Sequence, residues 1–138
     1  MCIRDSLMTQ RMADEIKHQY SKNRQIFVYP DPAGAQRSTK STYTDHDLLR
    51  MAGFFVKTKR KHPSVTDSVN SVNSAMKECV IDPSCKNLIR DLEQVVNKEG
   101  TRNIDKSNPA LTHFSDAFRY SIDYEFPVRT PKTKTYLG

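Results

Sequence analysis

Tryptophan is absent from this chain, and glycine occurs only 4 times and cysteine only 3 times in 138 residues. With apolar residues at 36% of the total, a chain of one-domain length has material for a thin core and no more. Cys2, Cys79 and Cys85 are odd in number and form no CxxC pair. That pattern excludes a disulfide framework and fits a reducing compartment. Cys79 and Cys85 lack the paired spacing of a zinc site. No run approaches the roughly 20 apolar residues of a membrane span, and no signal peptide is present, so no membrane partner is expected. His18, His46 and His62 are scattered, and no serine sits in a G-x-S-x-G setting, so nothing points to nucleophilic serine chemistry.

What the chain has in excess is positive charge. Lys and Arg number 22 against 16 Asp and Glu, a formal charge of +6. Such a balance favours a polyanion as partner, nucleic acid ahead of a membrane surface; an ordinary solvated basic surface is the alternative. The first six residues stand apart. "MCIRDS" is what ATGTGTATAAGAGAC followed by AG and one further base encodes, a string that resembles a transposase-library adapter. Residues 1–6 are therefore read as adapter, with the coding sequence expected to continue upstream of Leu7. Removing them takes away one Arg and one Asp and leaves the net charge unchanged.

Met8, Met12, Ile16 and Tyr20, with Ala13 beside them, predict an amphipathic helix over 7–20. "QIFVY" (25–29) reads as a buried strand, and 32–44 as a basic Gly/Ser/Thr-rich loop. Thr44 and Asp47 have capping-box spacing ahead of a short helix with Leu48, Leu49 and Ala52, stopped by Gly53. "FFVKTKRK" (54–61) predicts a strand that sends Lys57, Lys59 and Lys61 to one side. Ser64 can cap a helix whose apolar stripe is Val65, Val69, Val72 and Met76. Cys79-Val80-Ile81 predicts a third strand, and Cys85, Leu88, Ile89, Leu92 and Val96 another helix, closed by Gly100. A last helix is expected over 110–124, and a basic disordered tail over 128–138. Strands alternating with helices, without a tight hairpin signal, predict an α/β fold with parallel pairing.

In open sheets of this kind, sites form at the carboxyl ends of strands, and Asp31 lies at one. Two Asp-Pro pairs end predicted strands. Asp82 precedes helical periodicity and reads as its N-cap. Asp31 has no helix pattern after it, so a cap explains it poorly and a metal-binding or base role explains it better. On the last helix Leu111, Phe114, Phe118 and Ile122 make the apolar stripe, with His113, Asp116, Tyr120 and Asp123 on the other face. That face is either solvated or turned toward the sheet end, where Asp116 could meet Asp31. Converging carboxylates repel unless a divalent cation neutralises them, which implies Mg²⁺ or Mn²⁺. "GAQRSTKS" (34–41) resembles a phosphate-binding loop, but Thr39 replaces its second glycine and no helix begins at Lys40. Arg37 and Lys40 remain candidates for gripping phosphates.

Taken in order, "VYPDPAG", "TDHDLLRMAGFFVKTKRK", "SVTDSVNSVNSAM", "IDPSCKNLIRDLEQV", "DKSNPALTHFSDAFRY" and "YEFP" resemble the large subunit of tailed-bacteriophage terminases, over about residues 8–127. The resemblance lies in that family's C-terminal nuclease domain and implies a ribonuclease H-like fold, here without its first strand or strands. Residues 7–127 would be a partial nuclease domain. The implied activity is metal-dependent endonuclease cleavage of concatemeric double-stranded DNA during packaging, in the cytoplasm of an infected bacterium. The implied partners are that DNA, the portal and procapsid, and the small terminase subunit. Such sites set three acids around two divalent ions. The resemblance assigns two of them to Asp31 and Asp116, with His113 and Asp105 as supporting candidates. The third belongs to the missing first strand, and Asp14, inside a helical pattern, does not replace it. The fragment itself is therefore expected to be inactive. Lys57, Lys59, Arg60 and Lys61, with Arg37 and Lys40, are the candidate DNA contacts. Two rivals remain: another ribonuclease H-like enzyme of resolvase or transposase type, and a non-catalytic basic DNA-binding or capsid-docking module.

Overall fold

The computed structural model describes residues 3–22, 25–37, 41–95, 99–101, 104, 105, 107 and 112–129, with side chains from residue 8 onward. They form mixed α/β structure in two compact units, Met1–His62 and Pro63–Gly138.

The first unit contains α1 (Ile3–Gln19), β1 (Phe27–Val28), a single 3₁₀ turn (Pro32–Ala35), α2 (Asp45–Met51) and β2 (Phe55–Val56). β1 and β2 pair in parallel, with Phe27 opposite Phe55 and Val28 opposite Val56. The expected parallel crossover is present, carried by α2. Both strands are much shorter than their apolar runs. The amides of Phe55 and Lys57 donate to the carbonyls of Ile26 and Val28. The next donor due in this parallel ladder is the amide of residue 30, which is a proline and has no N–H. The ladder stops there, so 57–61 is not strand and the expected alternation of its lysines has no sheet to impose it.

α2 begins with the predicted capping box. Thr44 Oγ1 accepts from the Asp47 amide, and the Asp47 carboxylate accepts from the Thr44 amide. It ends at Gly53, whose φ of 93° is the left-handed conformation glycine adopts without strain. The core is Ala13, Leu49 and Phe54, with Ile16, Ile26, Val28, Ala52 and Val56 packed against it. Met8, Met12 and Tyr20 lie outside it, so the buried stripe of α1 is narrower than its periodicity suggests.

The second unit is helical: α3 (Val65–Ala75), α4 (Lys86–Gln94) and α5 (His113–Glu125). Ser64 caps α3 as expected, its hydroxyl accepting from the Asp67 amide. The expected strand at 79–81 does not form; Val80 is almost wholly exposed. Asp82 is not the N-cap of α4, which starts later, after Cys85. Its carboxylate accepts from the Ser84 amide at 2.8 Å in a turn before the helix. Cys85 is exposed rather than in a core position.

The larger difference is the interior. The predicted stripes of α3 and α5 are not the buried ones. Ser68 and Ser71 of α3 and Arg119 and Asp123 of α5 are buried instead, while Val65, Met76 and Phe114 are exposed. The serines can enter a helix contact because their hydroxyls donate to carbonyls of their own helix turn, Ser68 to Ser64 and Ser71 to Asp67. Asp91 of α4 supplies what the start of α5 lacks. Thr112 makes no side-chain cap, and Asp91 Oδ2 accepts from the amides of Phe114 and Ser115 at 2.9 and 3.4 Å. The segment after α5 is also held, since the Val128 amide donates to Ser71 Oγ and Arg129 pairs with Asp123 at 2.7 Å. The rest of the expected tail, from residue 130, lies outside the described residues, as do Lys40, Val96, Pro109 and Leu111.

Candidate functional site

Asp31 stands three residues beyond β1, at the carboxyl end of the parallel pair. Contrary to the sequence reading, it does cap a helix, though one of a single turn. Its Oδ1 accepts from the Ala33 amide at 2.8 Å, at the head of the 3₁₀ turn Pro32–Ala35. A turn of four residues has no periodicity to display, so nothing in the sequence pattern announces it. The carboxylate is open to solvent all the same, with its side chain 55% exposed.

Two of the histidines that are scattered in sequence meet at this residue. His62 Nε2 lies 3.3 Å from Asp31 Oδ1, and His46 Nε2 lies 2.8 Å from the Asp31 carbonyl oxygen. Linear spacing does not reveal this. Parallel pairing does contain a signal, because it sends the chain beyond β1 and the chain beyond β2 out of the same edge. His62, six residues past β2, is thereby returned to the neighbourhood of Asp31.

The basic residues of that edge are differently disposed. Arg37, Arg60 and Lys61 are exposed, and Lys59 is half-buried. Lys57 extends over aromatic rings, its Nζ 4.7 Å from the centroid of Phe27 and 5.8 Å from that of Tyr29. Phe27 and Phe55 pair across the strands at 5.2 Å.

Asp116 belongs to the second unit and sits differently. It does not lie on a solvated face: its side chain is only 20% exposed, and Oδ1 receives Arg119 Nη2 at 2.7 Å. Arg119 Nη1 donates to Ser68 Oγ at 2.7 Å, which ties the pair to α3. Arg119 Nε is buried without a hydrogen-bond partner among the described residues. Asp116 and Arg119 also line a cavity of about 490 Å³ walled by Val69, Val72, Met76 and Leu92, which accounts for the apolar stripe of α3. Of the supporting candidates, His113 is exposed at the first turn of α5, and Asp105 accepts from the Ser107 amide at 2.9 Å.

As oxygen donors, Asp31 and Asp116 suit Mg²⁺ or Mn²⁺ by chemistry. Asp31 offers an accessible carboxylate, whereas one oxygen of Asp116 is held by a guanidinium. Among the described residues no group of three His, Cys, Asp or Glu forms a metal-holding cluster. Among the same residues no helix is long and apolar enough to cross a membrane. Compared with known proteins, the chain matches no family, no curated protein and no solved structure.

Proposed function

We propose that this chain is part of the nuclease domain of a tailed-phage terminase large subunit, a metal-dependent endonuclease of ribonuclease H-like fold that cuts concatemeric double-stranded DNA during packaging, in the infected host's cytoplasm. The observation that carries the reading is Asp31: an accessible carboxylate fixed in a turn at the carboxyl end of a parallel β–α–β unit, where such folds build their sites. The ordered likeness of its motifs to that family supports it. Asp31 and Asp116 would be the metal-binding acids, with a third acid expected from the first strand of such a fold. Bound divalent ions would supply a hydroxide nucleophile at neutral pH and stabilise the leaving oxygen. The chain's own part is to present hard oxygen ligands and to draw phosphates toward Asp31 with Arg37, Arg60 and Lys61, exposed in the same unit. Portal, procapsid and small subunit would be the protein partners of the whole molecule.

The Asp116–Arg119 ion pair favours a second reading, a basic DNA-binding or docking module that keeps the fold without the chemistry. Mn²⁺ titration and a supercoiled-plasmid nicking assay separate the two. The nuclease reading expects weak Mn²⁺ binding that is lost in Asp31→Asn and in Asp116→Asn, with little or no cleavage by this chain. Mn²⁺ binding indifferent to both substitutions supports the module instead. Cleavage that survives the double substitution overturns the site.

A further inference from the structure

His46 is the most deeply buried histidine described, 1% exposed, and the nuclease reading assigns it no role. We propose that it is the positioning residue of the Asp31 turn, holding the turn to α2 so that the carboxylate has one place to stand. The inference rests on the reading of Asp31 as a metal ligand only for its functional consequence; the positioning itself does not need the metal.

The turn is well closed locally; beyond the buried ring of Pro32 and the exposed His62 contact to the Asp31 carboxylate, it is tied to the rest of the unit by His46. Pro30 and Pro32 fix their own φ angles, but the orientation of the peptide plane between Asp31 and Pro32 depends on ψ of Asp31, here 131°. That peptide has no N–H, so its carbonyl is the one polar group by which it can be held. The carbonyl accepts from the Gly34 amide at 3.0 Å, a bond internal to the turn. The Asx bond from the Ala33 amide is internal as well. Both move with the turn and say nothing about where it sits. The bond from His46 Nε2 at 2.8 Å spans 15 residues and joins the same carbonyl to the first turn of α2. A carbonyl oxygen only accepts, so Nε2 must carry the hydrogen. Among the described residues the buried His46 Nδ1 has no hydrogen-bond partner, so the bond from Nε2 is the hydrogen bond the imidazole makes there.

Gly34 gives independent support. A Cβ there would stand 2.9 Å from His46 Nε2 and 3.0 Å from Cδ2. Its φ is not in the left-handed range, so backbone conformation does not demand glycine. Space for the imidazole does. Asp31, Gly34 and His46 thus form one device: a carbonyl to be held, a donor to hold it, and a gap that lets the donor in.

The test uses the full chain with His46→Leu, His46→Gln and Gly34→Ala. Gln keeps an N–H donor on a side chain of similar reach, and Gly34→Ala displaces the imidazole while leaving it intact. The metal-free readout is amide exchange at Ala33 and Gly34 by NMR, with the His46 ¹⁵N shifts reporting the Nε2–H tautomer. Loss of one net hydrogen bond predicts about tenfold faster exchange in His46→Leu and Gly34→Ala, largely restored in His46→Gln. The double variant His46→Leu/Gly34→Ala should be no worse than either single one, since both break the same bond. Mn²⁺ affinity should fall in step, also by about tenfold. Wild-type exchange in a folded Gly34→Ala chain overturns the proposal even if His46→Leu fails to fold. So does a His46→Gln variant no better than His46→Leu. If Asp31→Asn leaves Mn²⁺ binding untouched, the nuclease reading falls, and the exchange arm still decides the role of His46.

Discussion

The two units of this chain bury opposite kinds of side chain. In Met1–His62 the apolar centre is Ala13, Leu49 and Phe54, and His46 is the polar side chain buried with them. In Pro63–Gly138 the most deeply buried side chains include Ser68, Ser71, Asp91, Arg119 and Asp123. An apolar interior can lose a contact and relax around it. A polar interior holds as a network, because each buried group that loses its partner keeps the cost of having left water. The second unit should therefore be the more brittle under substitutions of equal size.

Arg119→Ala is the strongest way to break that comparison. It leaves Asp116 with less neutralisation and removes the donor to Ser68, so destabilisation of about 3–5 kcal/mol is expected from urea unfolding. Replacing both members of the pair, Arg119→Leu with Asp116→Leu, should recover most of it, since a paired charge can exchange for apolar packing at little net cost. A loss below about 1 kcal/mol for Arg119→Ala would mean that the pair behaves as an exposed one.

Apolar truncations sharpen the same contrast from the other side. Leu49→Ala empties a buried position in the first unit and should cost about 3 kcal/mol. Val69→Ala, on the stripe that helical periodicity marks as core, should cost about 1 kcal/mol or less, because Val69 is only partly buried and lines a cavity. The two residues look alike in sequence, and their measured order reports which face of α3 is inside.

That pair shows where the fold was legible. The capping box at Thr44, the cap at Ser64, the stop at Gly53 and the parallel crossover all follow from local chemistry, and all are present. The polar seam was not legible, because hydropathy assigns Ser68, Arg119 and Asp123 to solvent. Their partners, 51 and 52 residues apart in sequence, are known only once α3 and α5 meet. Asp31 is a mixed case. Its place at a strand end was readable, and its capping of a four-residue turn was not. Its two histidines became neighbours through tertiary contacts that no spacing rule contains.

The smallest expected effect compares one carboxylate from each unit. Asp47 is held below the usual carboxylate range chiefly by the Thr44 amide and then by the Thr44 hydroxyl. Asp82 is lowered by the Ser84 hydroxyl and then the Ser84 amide. Asp82 is exposed and Asp47 lies at the surface end of α2, and neither is among the buried residues of its unit. In each, the folded chain favours the ionised form and releases its proton more readily than the unfolded chain does. The stabilisation is therefore complete above the unfolded-state pKa of about 4 and fades as pH falls through the lowered folded-state value. Asp47→Asn and Asp82→Asn should each flatten the decline of Tm between about pH 5 and about pH 2. The sign should be the same in both units, because the cause in each is a turn or cap of three to four residues. A steeper acid decline in Asp82→Asn would show that the charge, once removed, was opposing the fold there, and that the Asp82 turn is not the counterpart of the α2 cap.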